Sequence, residues 1–485
     1  MMKFSGTKAV KLLPLLLCGG VLACLLPHAG RALWFDEALT VLQFAVLPSA
    51  GAIYHSYVIP NNQIIHTIFV HGLLGIAPEG FSLIFWLRLL PVVAAVLTVL
   101  ILFCRFRRIC GAWAAAVVLT AWIVSAPFAV FGTALRGYML SCLWTALALC
   151  AALDFAEKKG VREWLLWAVT SLLSVGTIPT NLAAMAAVVL YVLPLYGGDF
   201  YRKKQFWMMA LTPVMMLVLF YAPIASAFLK CCRLGEGWPD GLAAWQAAML
   251  PAAVAFAVLI LPAVLGTWFV VRCNGFRWVY SARGMIWLLP LTACLILPVA
   301  PFPRTFFPMW PVFAVLLASA IRHFAAGWFG LRRRRAAAAF LIFLIPGVLL
   351  WFSMTDFPAF RHAFSQRCGG ADGDDYFAPY FMRNDFSPGG IVDRISMLDP
   401  QRQGKLYCSF RADPWSILFQ MILKGYPGSY CVFDGPGGRV ADLPDGAFLL
   451  LRQDESAEEI SSRFCGKLEA LRLPGSRNKL YRLIR

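Results

Sequence analysis

The chain has 485 residues, of which 60% are apolar and only 14% charged, with a formal net charge of +18 and a mean hydropathy of +0.70. Soluble domains carry about 45–50% apolar and about 25% charged residues. Three water-facing domains are therefore excluded, as are a disordered chain, a collagen and a small disulfide scaffold; this is the composition of a polytopic membrane protein.

The charge is unevenly spread. Residues 1–353 hold 26 Lys and Arg against 9 Asp and Glu, whereas residues 354–485 hold 17 against 16. The basic residues sit in short clusters between apolar runs. That pattern sets membrane topology and excludes a nucleic-acid partner.

Taken in chain order, runs of spanning length predict helices at 9–28, 84–104, 112–131, 138–154, 163–178, 181–196, 206–228, 247–271, 285–300, 307–326 and 336–353, about 11 in all. Lys3, Lys8 and Lys11 precede the first run like the n-region of a signal peptide. No small-residue cleavage site clearly follows it, so it reads as an uncleaved first helix. With the N-terminus cytoplasmic, alternate loops place 20 basic residues inside and six outside, which fixes the orientation. The expected location is a multi-pass protein of the plasma (inner) membrane, with its C-terminus outside.

The first outer loop, residues 29–83, is the longest in the membrane part. It opens on Arg31-Ala-Leu-Trp34-Phe35-Asp36-Glu37. A carboxylate at the membrane surface can act as general base for an acceptor hydroxyl or hold a divalent cation on a phosphate. Alternatively, Asp36 caps a short helix beginning near Glu37, with Glu37 complementing its dipole. Further on, apolar residues at 64, 65, 68, 69 and 73 follow helical spacing, leaving Gln63, His66, Thr67 and His71 off the stripe. This run is too short and too polar to span and reads as an amphipathic helix in the outer interface. His66 and His71 could each meet a substrate phosphate, or simply bond backbone and water. Arg136 and Tyr138, after the third span, and Arg304, before the tenth, stand at the outer surface. An Arg there matches a phosphate in charge and geometry, or marks the interface by snorkelling. The run Arg332–Arg335 reads as a cytoplasmic topology anchor.

Beyond 353 the composition turns mixed. β-like runs at Lys405–Phe410, Tyr430–Phe433, Ala447–Leu451 and Lys479–Ile484, with a helix at Pro414–Leu423, predict a small C-terminal α/β domain over 354–485. Residues 365–390 read as a linker or long loop. Six cysteines face outside: Cys231, Cys232, Cys368, Cys408, Cys431 and Cys465. They permit disulfides of unassigned connectivity, and no spacing typical of a zinc site occurs.

The motifs Trp34-Phe35-Asp36-Glu37-Ala38, Asn61-Asn62-Gln63-Ile64-Ile65-His66-Thr67, Arg88-Leu-Leu-Pro91, Arg136-Gly137-Tyr138 and Arg304-Thr-Phe-Phe-Pro308 appear in this order over residues 9–330. In this the chain resembles bacterial membrane glycosyltransferases of the GT-C fold, related to dolichyl-phosphate-mannose protein mannosyltransferases and to the lipid A aminoarabinose transferase. The resemblance implies a GT-C-like membrane domain over 1–353 with outer juxtamembrane helices. It implies transfer of a sugar from a polyprenyl-phosphate carrier to a lipid, glycan or protein acceptor on the outer face. Asp36 would serve as base with Glu37 beside it, and Arg304 and Arg136 would bind carrier phosphate, with Tyr138, Asn62 and His66 as further substrate-binding residues. Many relatives carry a His-Pro pair where this chain reads Gln63-Ile64. Direct displacement would invert the anomeric centre. No cofactor is required, and a divalent cation (Mg2+ or Mn2+) stays an open alternative. Two other functions compete: a transporter or flippase of a lipid-linked glycan, and a GT-C-type oligosaccharide ligase or polymerase.

Overall fold

The computed structural model describes residues 6–59, 62–233, 303–328, 386–433, 443–453, 455–458, 467–473, 475–476 and 478–485, together with 283, 285, 286 and 289. Predicted spans at 247–271 and 336–353, nearly all of that at 285–300, the Arg332–Arg335 run and residues 365–385 of the expected linker lie outside the described residues.

The first span is α1 (Gly6–Ala29). The loop after it folds into three short α-helices, α2 (Phe35–Leu39), continued by a π-helical turn at Thr40–Ala45, α3 (Ala50–His55) and α4 (Ile64–Gly75). Long helices follow: α5 (Leu83–Ile109), α8 (Gly137–Lys158), α9 (Val161–Thr177), α10 (Leu182–Val192) and α11 (Lys204–Tyr221). Between α5 and α8 lie α6 (Ala112–Ile123) and α7 (Ala126–Thr133), bent 72° from each other. The continuous span expected at 112–131 is therefore broken. Its break falls at extended Ser125, so that Pro127 stands in the first turn of α7, where its missing N–H leaves no helical hydrogen bond unmade; inside one continuous helix it would remove such a bond and clash with the preceding turn. After α12 (Ala225–Arg233), a 3₁₀ segment at Pro303–Met309 leads into α13 (Trp310–Trp328). Five described helical stretches are long and apolar enough to cross a membrane, six if the bent pair counts as one.

Two kinds of surface explain the bundle. Large apolar side chains stand exposed on α1 (Leu12, Leu15, Leu16), α5 (Val93, Leu97), α9 (Leu165, Leu166, Val169) and α11 (Leu211, Met215, Val218), a belt suited to lipid. Inside, helices approach through small residues and hydroxyls. On the buried side of α9, Thr170 and Thr177 return their hydroxyls to the carbonyls of Leu166 and Leu173. Asn181 donates to the Ser141 hydroxyl and the Ser174 carbonyl, both at 2.8 Å, tying α9 to α8.

The C-terminal part holds α14 (Pro388–Leu398), β1 (Leu406–Cys408), α15 (Pro414–Leu423), β2 (Cys431–Phe433), β3 (Phe448–Arg452), β4 (Lys467–Leu471) and β5 (Asn478–Ile484). One sheet runs β2-β1-β3-β5-β4, with β1 parallel to both β2 and β3, and β5 antiparallel to β3 and β4. Strands β1, β2, β3 and β5 and helix α15 fall where the pattern places them; β4 lies on the sheet's edge, outside every expected run. Cys408 and Cys431 are free thiols. Cys368 and Cys465 lie outside the described residues.

Candidate active site

The two adjacent carboxylates have opposite surroundings. Helix α2 begins at Phe35 with Trp34 as its N-cap, so Asp36 lies in its first turn and is not the cap. The expected capping arrangement is thus corrected: Glu37 reaches back and accepts the Trp34 N–H at 3.0 Å. This is the carboxylate half of a capping box. Glu37 is fully buried. Its Oε2 also accepts from Arg88 Nη2 at 2.7 Å, and its Oε1 from the Leu135 N–H. Asp36, by contrast, keeps part of its surface open.

Arg88 explains why the loop folds this way. It rises from α5, 4% exposed, and its other contacts are main-chain carbonyls: His28, Arg31 and Ala32, at 3.2, 2.7 and 3.1 Å. These belong to the end of α1 and the turn after it, where a helix leaves carbonyls unpaired and favours a cation. One guanidinium thus closes α1 and grips Glu37, and this fixes the exit of the first span relative to α2.

Arg136 holds the other side of α2. It is buried, and its Nη1 donates to Thr40 Oγ1 at 3.0 Å and to the Asp36 carbonyl at 3.4 Å. Thr40 in turn donates to the Asp36 carbonyl at 2.8 Å. The next residue, Gly137, opens α8 and donates its N–H to Gln63 Oε1 at 2.6 Å. There is no room for a side chain at this junction. A Cβ at 137 would stand 2.6 Å from Thr177 Cγ2, 3.0 Å from Gln63 Oε1 and 3.3 Å from His66 Cβ. Gly137→Ala is expected to lower stability by about 1–3 kcal/mol, the usual cost of overpacking. Thermal unfolding in detergent checks this; an unchanged midpoint would show that the junction can yield.

His66 lies just inside. It is 1% exposed, and neither ring nitrogen has a hydrogen-bond partner. Burial, and then the charge of Arg136, push its imidazole pKa down to about 3. The ring is therefore neutral near neutral pH. Because the folded value lies below the ordinary 6.5, the unfolded chain binds more protons between roughly pH 6.5 and 3. His66 thus leaves stability intact above that window and removes it as pH falls, by up to about 1.4 kcal/mol per pH unit. Unfolding midpoints from pH 7.5 to 4.5 should fall less steeply in His66→Leu than in wild type. Parallel curves would contradict the linkage.

The remaining candidates divide. Asn62 is buried and staples the preceding turn, donating to the carbonyls of Ile53 and Ser56 at 3.0 and 3.2 Å. Its Oδ1 has no partner. His71 is engaged at the Ala45 carbonyl, 2.9 Å from Nδ1. Tyr138 is buried with its ring 4.9 Å from Phe131, which lies 4.7 Å from Phe307. The 3₁₀ segment bearing Arg304 therefore lies two rings from Tyr138, while the Arg304 side chain lies outside the described residues. Sequence reasoning gave no role to Arg88, Gln63 or Thr40. A charge within a spanning helix is the signal that points to Arg88. Among the described residues no group of three or more His, Cys, Asp and Glu side chains is gathered to hold a metal ion.

No family model matches the sequence, and a search of curated proteins found no match. Solved structures do match. ArnT from Cupriavidus metallidurans bound to undecaprenyl phosphate superposes with a TM-score of 0.57 at 13% identity, over 99% of this chain and 98% of that one. The same protein in the apo state gives 0.54 at 12% identity over the same shares. The oligosaccharyltransferase of Archaeoglobus fulgidus reaches only 0.44 at 15% identity, covering 84% of this chain and 61% of that one. The likeness to ArnT spans both chains end to end, and at this identity it is one of fold: the GT-C fold expected from the motifs.

Proposed function

We propose that this chain transfers a sugar from a polyprenyl-phosphate carrier to a hydroxyl-bearing lipid, glycan or protein acceptor on the outer face of the membrane. One observation carries the reading. Of two adjacent carboxylates only Asp36 is left accessible, on a helix that buried Arg136 clamps through the Asp36 carbonyl and Thr40. The undecaprenyl phosphate bound in ArnT supports a carrier of that class here.

The chemistry follows from the groups. Asp36 takes the proton of the acceptor hydroxyl as its oxygen attacks the anomeric carbon. The bond from that carbon to the phosphate oxygen breaks, its electron pair leaves with the carrier phosphate, and the anomeric centre inverts. Arg136 and Arg304 offset the charge growing on the phosphate. Glu37, enclosed and triply bonded, positions Asp36 instead of reacting itself. Tyr138, Asn62 and neutral His66 are the further substrate-binding residues of this reading, with the imidazole offering an N–H and an acceptor nitrogen without a charge.

In this reading the membrane domain covers 1–353 with eleven spans and a cytoplasmic N-terminus, and residues 354–485 lie outside. Charge placement supports that orientation. Arg107 and Arg108 end α5 and Lys158 ends α8, whereas Gly137 and the Asp36 helix lie at the other end of α8. The test is to incubate purified protein with radiolabelled polyprenyl-phosphate sugars and a membrane extract. Label in a new product supports a transferase. Label that crosses a vesicle membrane unchanged would indicate a transporter.

A further inference from the structure

The C-terminal α/β part meets the helix that carries Asp36. Phe419 of α15 is buried in one apolar cluster with Leu33, Ala38 and Val41, and Trp415 packs against that cluster. Beside it, the Phe410 ring stands 5.3 Å from Phe35, edge to face at 70°. Phe35 is the residue immediately before Asp36. An edge-to-face contact leaves ring surface uncovered, and Phe410 is 51% exposed.

The topology singles out this place independently. Strand β1 lies between β2 and β3 and is parallel to both, and the chain leaves β1 through α15 to reach β2. A crevice opens outside the carboxyl ends of parallel strands where neighbouring connections diverge, and ligands of α/β sheets bind there. Phe410 follows the carboxyl end of β1 directly. Ser409 bridges to the end of β3: its N–H donates to the Leu450 carbonyl at 2.9 Å, and its hydroxyl to Glu455 Oε2 at 2.6 Å. Glu455 also accepts the Arg452 N–H at 2.7 Å. The turn ends on Asp413, a buried residue with φ of +59°, in the left-handed region that non-glycine residues rarely occupy. Such conformations persist where the surroundings impose them, and they gather at ligand clamps. Here it returns the chain into α15 while Phe410 stays outward.

We propose that the crevice at the ends of β1 and β3 binds a sugar ring of the acceptor, with Phe410 and Phe35 as its aromatic wall and the half-buried Glu455 carboxylate, steadied from behind by the buried Ser409 hydroxyl, receiving its hydroxyls. The acceptor on this account is a glycan or glycolipid, delivered to Asp36 by the C-terminal part. An exposed aromatic beside a partly open carboxylate suits a pyranose or furanose, which has an apolar C–H face and a polar rim. The assignment rests on the transferase reading, whose own test is Asp36→Asn.

Two measurements on the full chain test it. In the transfer assay, membrane glycolipid extract is titrated at saturating labelled donor. Phe410→Ala should raise the half-saturating amount of extract about tenfold, the loss of one desolvated aromatic contact. The maximal rate should stay within about twofold, donor half-saturation should not move, and Phe410→Trp should restore binding. A loss confined to the maximal rate, or a shift in donor half-saturation, would overturn the proposal. The second measurement needs no activity: a photoreactive benzoylphenylalanine replaces Phe410 and is irradiated in native membranes. Capture of a glycan or glycolipid supports the proposal, whereas capture of phospholipid chains alone or of a protein refutes it. If Asp36→Asn abolishes transfer and the crevice captures only phospholipid, the transferase stands and this assignment falls.

Discussion

Asp36→Asn is expected to lower sugar transfer by about 10²- to 10⁴-fold, the range that general-base catalysis contributes. The substitution keeps the size of the side chain and removes its ability to take a proton. The Arg136 contacts to the Asp36 carbonyl and the Thr40 hydroxyl should survive, because Asn keeps the backbone they engage. Glu37 cannot take over the role. It is fully buried, with its oxygens occupied by Arg88, Trp34 and Leu135 donors. Asp36→Glu should recover little, since one added methylene displaces the carboxylate by about 1 Å from a reaction that tolerates little misplacement. Initial rates of label transfer at saturating donor, with a thermal unfolding curve for each variant, separate lost chemistry from lost fold. Equal rates in wild type and Asp36→Asn would remove Asp36 from the reaction.

What the sequence made legible depended on the range of the interactions. Long apolar helices, the short helix α4 and strands β1, β2, β3 and β5 are written in local apolar periodicity, and they can be read there. The edge strand β4 could not: Lys467-Leu-Glu-Ala-Leu471 offers little apolar alternation and is mostly exposed. The 72° break between α6 and α7 was signalled only by Pro127, in a run otherwise apolar enough to pass as one span. In the site, the paired carboxylates were legible as a pair. Which one is enclosed was not, because that is decided by Arg88 and Leu135, 51 and 98 residues away from Glu37. His66 marks where periodicity stops being informative. A polar residue off an apolar stripe is expected to face water. Here Ile64, Ile65, His66 and Thr67 are all buried, so the first turn of α4 is enclosed on every side, and of the apolar stripe only Phe69 is exposed.

The Glu37–Arg88 pair should give the largest loss of stability of any surface-remote substitution near the site. Arg88→Met is expected to cost about 3–5 kcal/mol, because it leaves a carboxylate uncompensated where neither partner is more than 5% exposed. It also strips the carbonyls of His28, Arg31 and Ala32 of a shared donor at the end of the first span. Glu37→Gln should cost less, about 1–3 kcal/mol. The amide still offers one oxygen, but its NH2 faces donors where the carboxylate had accepted. Replacing both partners, Glu37→Leu with Arg88→Met, should cost clearly less than the sum of the two single changes, since neither charge is then stranded. Thermal or denaturant unfolding of the three variants in one detergent yields the coupling energy. Transfer rates at a temperature where all remain folded test the second half of the argument. If the pair holds Asp36 in place, the double variant should regain stability without regaining full activity. If Arg88→Met unfolds at the wild-type midpoint, the orientation of α2 is set elsewhere, and the packing of Phe419 and Trp415 against it becomes the anchor to dissect.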